Sequence, residues 1–193
     1  SSLPVLYYTY LFPELLTGQH ISYKAINYFL LGNLSIMSNT IFPVFILNLF
    51  YKKIELKRLY FSSLISIITI FILSINFDPI GWKGGGVNYL ISNKLLDNNF
   101  FFYLSSFFTL TTFIYISLEN KENILILIIL TFMFFSMQVY QRYYEPMFFI
   151  ILFTMIKTNL INIFLNRFSA VLCLLLYFVI YYLLTISDII YGV

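Results

Sequence analysis

Charged residues divide this chain into long apolar runs. Ala25 to Tyr51 is 27 residues without a charge, Leu59 to Phe77 is 19, Asn98 to Leu118 is 21, Asn123 to Gln141 is 19 and Phe168 to Ser187 is 20. A charge at the centre of a bilayer costs about 2.5 to 3.5 kcal/mol, so charges mark where runs end. Each run is long enough as a helix, at roughly 1.5 Å per residue, to cross about 30 Å of hydrocarbon. Pro146 to Ile156 offers only 11 residues before Lys157. The half-apolar stretch Thr158 to Asn166 completes that crossing if Lys157 snorkels or faces protein; a broken or re-entrant element is the alternative. Residues 1–16, with Pro4, Pro13 and the aromatics Tyr7, Tyr8, Tyr10 and Phe12, read either as the tail of an earlier helix or as an interfacial segment. The expected fold is all-α, a polytopic transmembrane helical bundle of about five or six spanning helices, with one broken or short helix after Pro146. Residues 1–193 read as one transmembrane domain.

Composition agrees. The chain is 61% hydrophobic and 10% charged, with a mean hydropathy of +0.89, whereas soluble chains carry about 25% charged residues. An integral, multi-pass protein is expected, in a bacterial inner membrane or an organelle or ER membrane, with the lipid bilayer as its first partner. Eleven Lys and Arg give a net charge of +3 but form no basic stripe, so no nucleic-acid partner is expected. Cys173 has no second cysteine in the chain and His20 no second histidine, which excludes disulfides, thiolate zinc sites and haem ligation by His pairs. No metal and no cofactor is expected. The chain opens Ser1-Ser2-Leu3-Pro4, with neither Met nor a basic signal region, which reads as a C-terminal fragment of a longer protein.

The positive-inside bias sets the orientation. Lys52, Lys53, Lys57 and Arg58 cluster around Glu55 in the most basic short loop, which is expected in the cytoplasm. Counting crossings, Asp78 to Asn99 faces the other side, Glu119 to Glu122 returns to the cytoplasm and Arg142 to Glu145 lies outside. Lys157 and Arg167 fall inside only if the broken segment crosses completely.

Two polar clusters invite chemistry. Trp82 and Lys83 precede Gly84, Gly85 and Gly86. Such glycines appear where the backbone takes positive φ or lets a ligand approach. The segment reads either as an interfacial turn with a Trp anchor, or as a pocket in which Gly amides and Lys83 meet a sugar or phosphate. The spacing of a nucleotide-binding P-loop is absent. The second cluster is Arg142-Tyr143-Tyr144-Glu145-Pro146, where Arg142 and Glu145 share a helical face and Pro146 is expected to end or start a helix. It reads as a membrane-edge salt bridge in a Tyr belt, or as a guanidinium that grips a lipid-linked phosphate while Glu145 holds it. His20, in the patch Gln19 to Lys24, reads as interfacial. Asn27, Asn33, Ser35, Ser38 and Asn39 interrupt the first run and mark a helix–helix contact or a groove.

The order Gly18-Gln19-His20 to Pro43, then the polar turn from Asp78, then Gln141-Arg142-Tyr143-Tyr144-Glu145-Pro146, resembles GT-C-type membrane glycosyltransferases. It is most similar to the C-terminal part of the dolichyl-phosphate-glucose α-1,2-glucosyltransferase family. The resemblance implies transfer of a sugar from a polyprenyl-phosphate-linked donor on the extracytoplasmic side. In that scheme Arg142 and Lys83 stabilise the departing phosphate, with the amides of Gly84, Gly85 and Gly86 beside them. Trp82, Tyr143 and Tyr144 cover sugar or polyprenyl, and Glu145 positions Arg142. The family places its catalytic acid in a first outer loop. Glu14 is the sole acid before the first full run, so the catalytic residue stays unknown and is expected outside this fragment. The family's outer loop is rich in Asp, Asn, Arg and His where this chain has Trp82 to Gly86, so sugar and acceptor do not carry over. Two other classes compete. A non-catalytic subunit of a respiratory complex would want charges within spans for proton relay, and the first, second, third and last runs have none. A transporter or polysaccharide polymerase would want two halves of similar hydropathy.

Overall fold

The computed structural model describes residues 23–51, 54–75, 88, 91–92, 96, 98–132 and 141–191. Seven helices run through them: α1 Tyr23–Phe50, α2 Leu56–Ser74, α3 Phe100–Glu119, α4 Asn123–Phe132, α5 Gln141–Thr154, α6 Asn159–Asn166 and α7 Phe168–Tyr191. No strand occurs among the described residues. Helices are what apolar runs must form where water cannot satisfy the backbone. Three segments are long and apolar enough to cross a membrane: Leu30–Phe50, Leu56–Ser74 and Phe100–Glu119. Asn123–Phe132, Glu145–Thr154 and Phe168–Tyr181 are apolar but shorter within the described residues.

α1 is the hub. Its spanning window is 78% buried against 17% for α2, and it touches α2, α3, α4, α5, α6 and α7. Apolar surface gains little by leaving lipid for protein, so packing and polar contacts must hold such helices together. The seam between α1 and α3 supplies both. Ser35 and Ser105 pair through their hydroxyls at 2.8 Å, Ser106 donates to the Leu31 carbonyl at 3.0 Å, and Thr109 donates to the Leu34 carbonyl at 2.7 Å. Their small side chains let the two backbones approach. Bonds of this kind average about 0.6 kcal/mol each in a bilayer, so the three together contribute roughly 2 kcal/mol. Asn33 adds a bond to the Thr131 carbonyl at 2.9 Å, and Asn27 one to the Leu73 carbonyl at 3.2 Å. Of the polar interruptions of the first run, Asn27, Asn33 and Ser35 therefore make helix–helix contacts.

α2 keeps Ser62, Ser66 and Ile70 inward and turns Tyr60, Phe61, Leu64, Ile67, Ile68 and Phe71 outward. Both hydroxyls return to their own helix, Ser62 to the Arg58 carbonyl and Ser66 to the Ser62 carbonyl, each at 2.8 Å.

The segment after Pro146 is broken, one of the two alternatives its length left open. α5 stops at Thr154, residues 155–158 turn, and α6 follows. The break does not fall at Pro146, which lies inside α5. Pro146 has no N–H to give the Arg142 carbonyl, so α5 gives up that one backbone bond and continues to Thr154.

The turns joining α1 to α2, α3 to α4 and α5 to α7 gather at one end of the bundle. Tyr51 bonds Ser169 at 3.0 Å, and the Arg167 guanidinium sits 4.7 Å above the Tyr51 ring. The Glu55 amide donates to Tyr115 at 3.2 Å, and Arg58 pairs with Glu55 at 3.0 Å. Glu119 receives the Thr158 hydroxyl and the Asn159 amide, and so caps the start of α6. Asn120 organises the α3–α4 turn by accepting the Glu122 amide at 3.0 Å. Lys157 lies exposed at this end, paired with Glu122 at 2.8 Å. The hydrogen bond from Lys157, then its charge, hold the Glu122 carboxyl below its ordinary value, and the same contacts raise Lys157. Lys57, Arg58, Lys121, Lys157 and Arg167 face three carboxylates, Glu55, Glu119 and Glu122, so this end is net basic.

Candidate functional site

Toward the opposite end, α1, α3 and α7 enclose a cavity of about 350 Å³. Its polar wall is Ser38 and Asn39 of α1, Ser105 of α3, Tyr177 of α7 and Asn88 from the segment before α3. Phe42 and Phe108, packed edge to face at 5.8 Å, close the apolar wall.

Each polar side chain is fixed by a neighbour. The Asn88 amide donates to the Ser35 carbonyl at 2.8 Å and to the Ser38 hydroxyl at 2.7 Å, while Ser38 donates to the Ser35 carbonyl at 2.6 Å. Asn39 reaches outward to α5, where its amide donates to Glu145 Oε1 at 3.2 Å. The Tyr181 hydroxyl donates to the same oxygen at 3.1 Å, and Asn39 and Tyr181 lie 3.5 Å apart. Tyr177 stacks parallel on Tyr181, with ring centroids at 6.3 Å. A half-buried carboxylate gains from such donors, because a charge partly out of water costs free energy unless it is hydrogen-bonded or paired.

Pro43 adds a backbone feature. It sits one turn after Asn39 within α1 and has no N–H to give the Asn39 carbonyl. The helix is weakened where Asn39 meets both the cavity and Glu145.

The site is polar and aromatic without being charged: no Lys, Arg, Asp or Glu lines the cavity among the described residues, and the nearest described carboxylate, Glu145, stands one side chain behind the wall. Neutral donors and acceptors beside aromatic faces suit a hydroxyl-rich head group. No cluster of three metal-ligating side chains occurs among the described residues.

Of the residues singled out in the sequence, Glu145 is brought to this site. Arg142, Tyr143 and Tyr144 lie in the first turn of α5 just before it, and only their backbone belongs to the described structure. Trp82, Lys83, Gly84, Gly85 and Gly86 lie outside the described residues, as does His20, and precede Asn88 closely in the chain. Asn39 was legible as a residue of a contact or groove. Asn88, Ser105, Tyr177 and Tyr181 were not, since an Asn in a polar segment and hydroxyls in spanning runs carry no signal until their neighbours are known.

Comparison of the chain with protein-family models, with functionally characterised proteins and with solved structures finds no match. The similarity to the glucosyltransferase family therefore rests on the residues quoted for it.

Proposed function

We propose that this chain is a multi-pass membrane glycosyltransferase module that takes a sugar from a polyprenyl-phosphate carrier at the end of the bundle away from the basic turns. The observation that supports this reading is the neutral, aromatic-walled cavity joined through Asn39 to the Glu145 carboxylate. The positive-inside bias puts the basic end in the cytoplasm and the cavity toward the other side. On this reading α1, α2 and α3 cross the bilayer, and the apolar helices after them bring the total to about five or six crossings.

In such a transfer the acceptor hydroxyl oxygen bonds to the anomeric carbon while the bond from that carbon to the carrier phosphate breaks. The phosphate leaves with the bonding electrons, and a carboxylate takes the hydroxyl proton. The cavity amides and hydroxyls bind the sugar. Arg142 and Lys83 neutralise the phosphate, the amides of Gly84, Gly85 and Gly86 approach it, and Trp82, Tyr143 and Tyr144 cover the sugar or the first isoprenes. Glu145 holds the wall in place. It is not assigned the proton, because Oε1 already accepts from Asn39 and Tyr181, and Glu55, Glu119 and Glu122 stand at the other end of the bundle.

The test is transfer by the full protein in lipid nanodiscs supplied with a polyprenyl-phosphate glucose. Arg142→Lys keeps the charge and loses the fork, and Asn39→Leu removes the amide from the cavity wall. Each should lower transfer by about tenfold or more, the loss of one charge-assisted or buried polar contact, while Lys24→Arg changes little. Full transfer by both variants would overturn the reading. So would an intact protein that transfers from no lipid-linked donor and copurifies stoichiometrically with a respiratory complex.

A further inference from the structure

We infer that Arg167, held over Tyr51 at the basic end of the bundle, seats the phosphate of an anionic phospholipid. This goes beyond the reading of the cavity and does not depend on it.

Among the described residues, two arginines at this end lie over tyrosine rings, and they differ in one respect. The Arg58 guanidinium sits 5.6 Å above the Tyr115 ring and pairs with Glu55 at 3.0 Å. There the chain supplies both the platform and the anion. Arg167 lies closer to its platform, 4.7 Å above the Tyr51 ring, yet has no carboxylate partner among the described residues. The carboxylates at this end are taken: Glu55 by Arg58, Glu122 by Lys157, and Glu119 by the Thr158 hydroxyl and the Asn159 amide. A ring against one face of a guanidinium fixes its plane and leaves the N–H edges open, the geometry that receives a phosphate through two bonds at once. The Tyr51 and Ser169 hydroxyls share a single hydrogen bond at 3.0 Å. Whichever of them donates it, the other keeps an O–H for an incoming oxygen.

The anion must come from outside the chain, and position identifies its source. Phe50 closes the spanning segment of α1 and Phe168 opens α7, so Tyr51 and Arg167 lie where apolar helices leave the hydrocarbon. Phe168 and Phe50, 81% and 79% exposed, are the most exposed large apolar side chains among the described residues, followed by Leu56 and Tyr60 at the start of α2. Aromatic side chains at such a boundary rest at head-group level. A soluble anion would leave them uncovered. A phospholipid brings its phosphate to the guanidinium and its acyl chains past Phe50 and Phe168. Lys57 and Lys121 add cations with no carboxylate partner among the described residues. They favour a lipid of net negative charge over a zwitterion, whose amine would find every carboxylate at this end engaged.

The experiment titrates phosphatidylglycerol into the full protein in detergent micelles and counts bound lipids by native mass spectrometry. Phosphatidylcholine is the zwitterionic comparison, and glycerol phosphate at matched ionic strength is the soluble phosphate. The parent should bind its first phosphatidylglycerol more tightly than phosphatidylcholine, and glycerol phosphate should not displace it. Arg167→Gln should weaken that lipid about fivefold or more, the share of one basic side chain at an anionic surface. Arg167 is exposed, so the variant should keep the parent's circular dichroism. Lys121→Gln removes the same charge from the α3–α4 turn and should stay within about twofold, since it leaves the seat intact. Tyr51→Leu keeps the cation and removes its platform, and should weaken the lipid more than Lys121→Gln does. Equal loss in Arg167→Gln and Lys121→Gln would reduce the seat to diffuse attraction and overturn it. So would an unchanged affinity in Arg167→Gln, equal binding of the two phospholipids by the parent, or displacement by glycerol phosphate.

Discussion

Replacing Asn123 by Ala should cost far more than its place at the edge of the bundle suggests. Asn123 opens α4 and is 1% exposed. Its amide donates to the Lys157 carbonyl at 2.8 Å, and its Oδ1 accepts the Lys157 amide at 3.0 Å. One side chain thus satisfies both backbone groups of the residue where α5 has ended and α6 has not begun. A third contact, to the Ile116 carbonyl at 3.4 Å, is too long to count for much. Two good hydrogen bonds contribute roughly 1 kcal/mol each, and leaving their partners unpaired adds a desolvation penalty of about 1 kcal/mol, reduced because water reaches the Lys157 side. The expected loss is about 2 to 3 kcal/mol. The measurement is reversible unfolding of the purified protein in mixed detergent micelles, followed by far-UV circular dichroism, with the exposed Asn162→Ala as control. Asn123→Asp, which keeps the acceptor and loses both donors, should also destabilise. A change below about 0.5 kcal/mol for Asn123→Ala, equal to the control, would refute the idea that this side chain holds the break together.

Two further outcomes are expected. Glu122, held below its ordinary value of 4.5, contributes to stability above that pH and loses the contribution as pH falls through its lowered folded value; Lys157, raised above 10.5, contributes below that pH and loses it as pH rises through its raised value. Lys157→Gln should therefore flatten the stability profile only at those two extremes, and a difference from the parent that changes between pH 6 and pH 9 would point to another group. Cysteine placed at Lys57 should react with a membrane-impermeant maleimide only from the cytoplasmic side, and cysteine at Asn98 only from the other, both in a Cys173→Ser background; outside labelling at position 57 would invert the orientation.

The apolar runs were the most legible part of the chain, and the ends of its helices show why. The run from Ala25 to Tyr51 became Tyr23–Phe50, and that from Asn98 to Leu118 became Phe100–Glu119. The run from Leu59 became a helix beginning at Leu56, because Lys57 and Arg58 lie in its first turn at the basic end and need not be excluded from it. Pro146 misled because a proline is read locally as a boundary, while α5 carries it inside the helix at the loss of one backbone bond. The cavity was legible only on one side. Asn39 in a spanning run must find a polar partner, but nothing in its surroundings along the chain says that the partner is Glu145, 106 residues on. Asn88 and Tyr181 are ordinary where they stand in the sequence and gain meaning only from the crossing of α1, α3 and α7.

The central place of α1 sets a problem of timing during synthesis. Its polar side chains are matched with later parts of the chain: Asn33 with Thr131, Asn39 with Glu145 and Asn48 with Leu160, at separations of 98, 106 and 112 residues. At roughly 5 to 20 residues per second, the ribosome needs about 5 to 20 seconds to deliver those partners. For that interval the Asn33 and Asn39 amides lack these later partners and Asn48 keeps only its bond to the Val44 carbonyl of its own helix, at a cost in hydrocarbon. A helix in that condition gains from entering the bilayer together with the helices that complete it, so the order of synthesis and the order of packing are coupled in this chain.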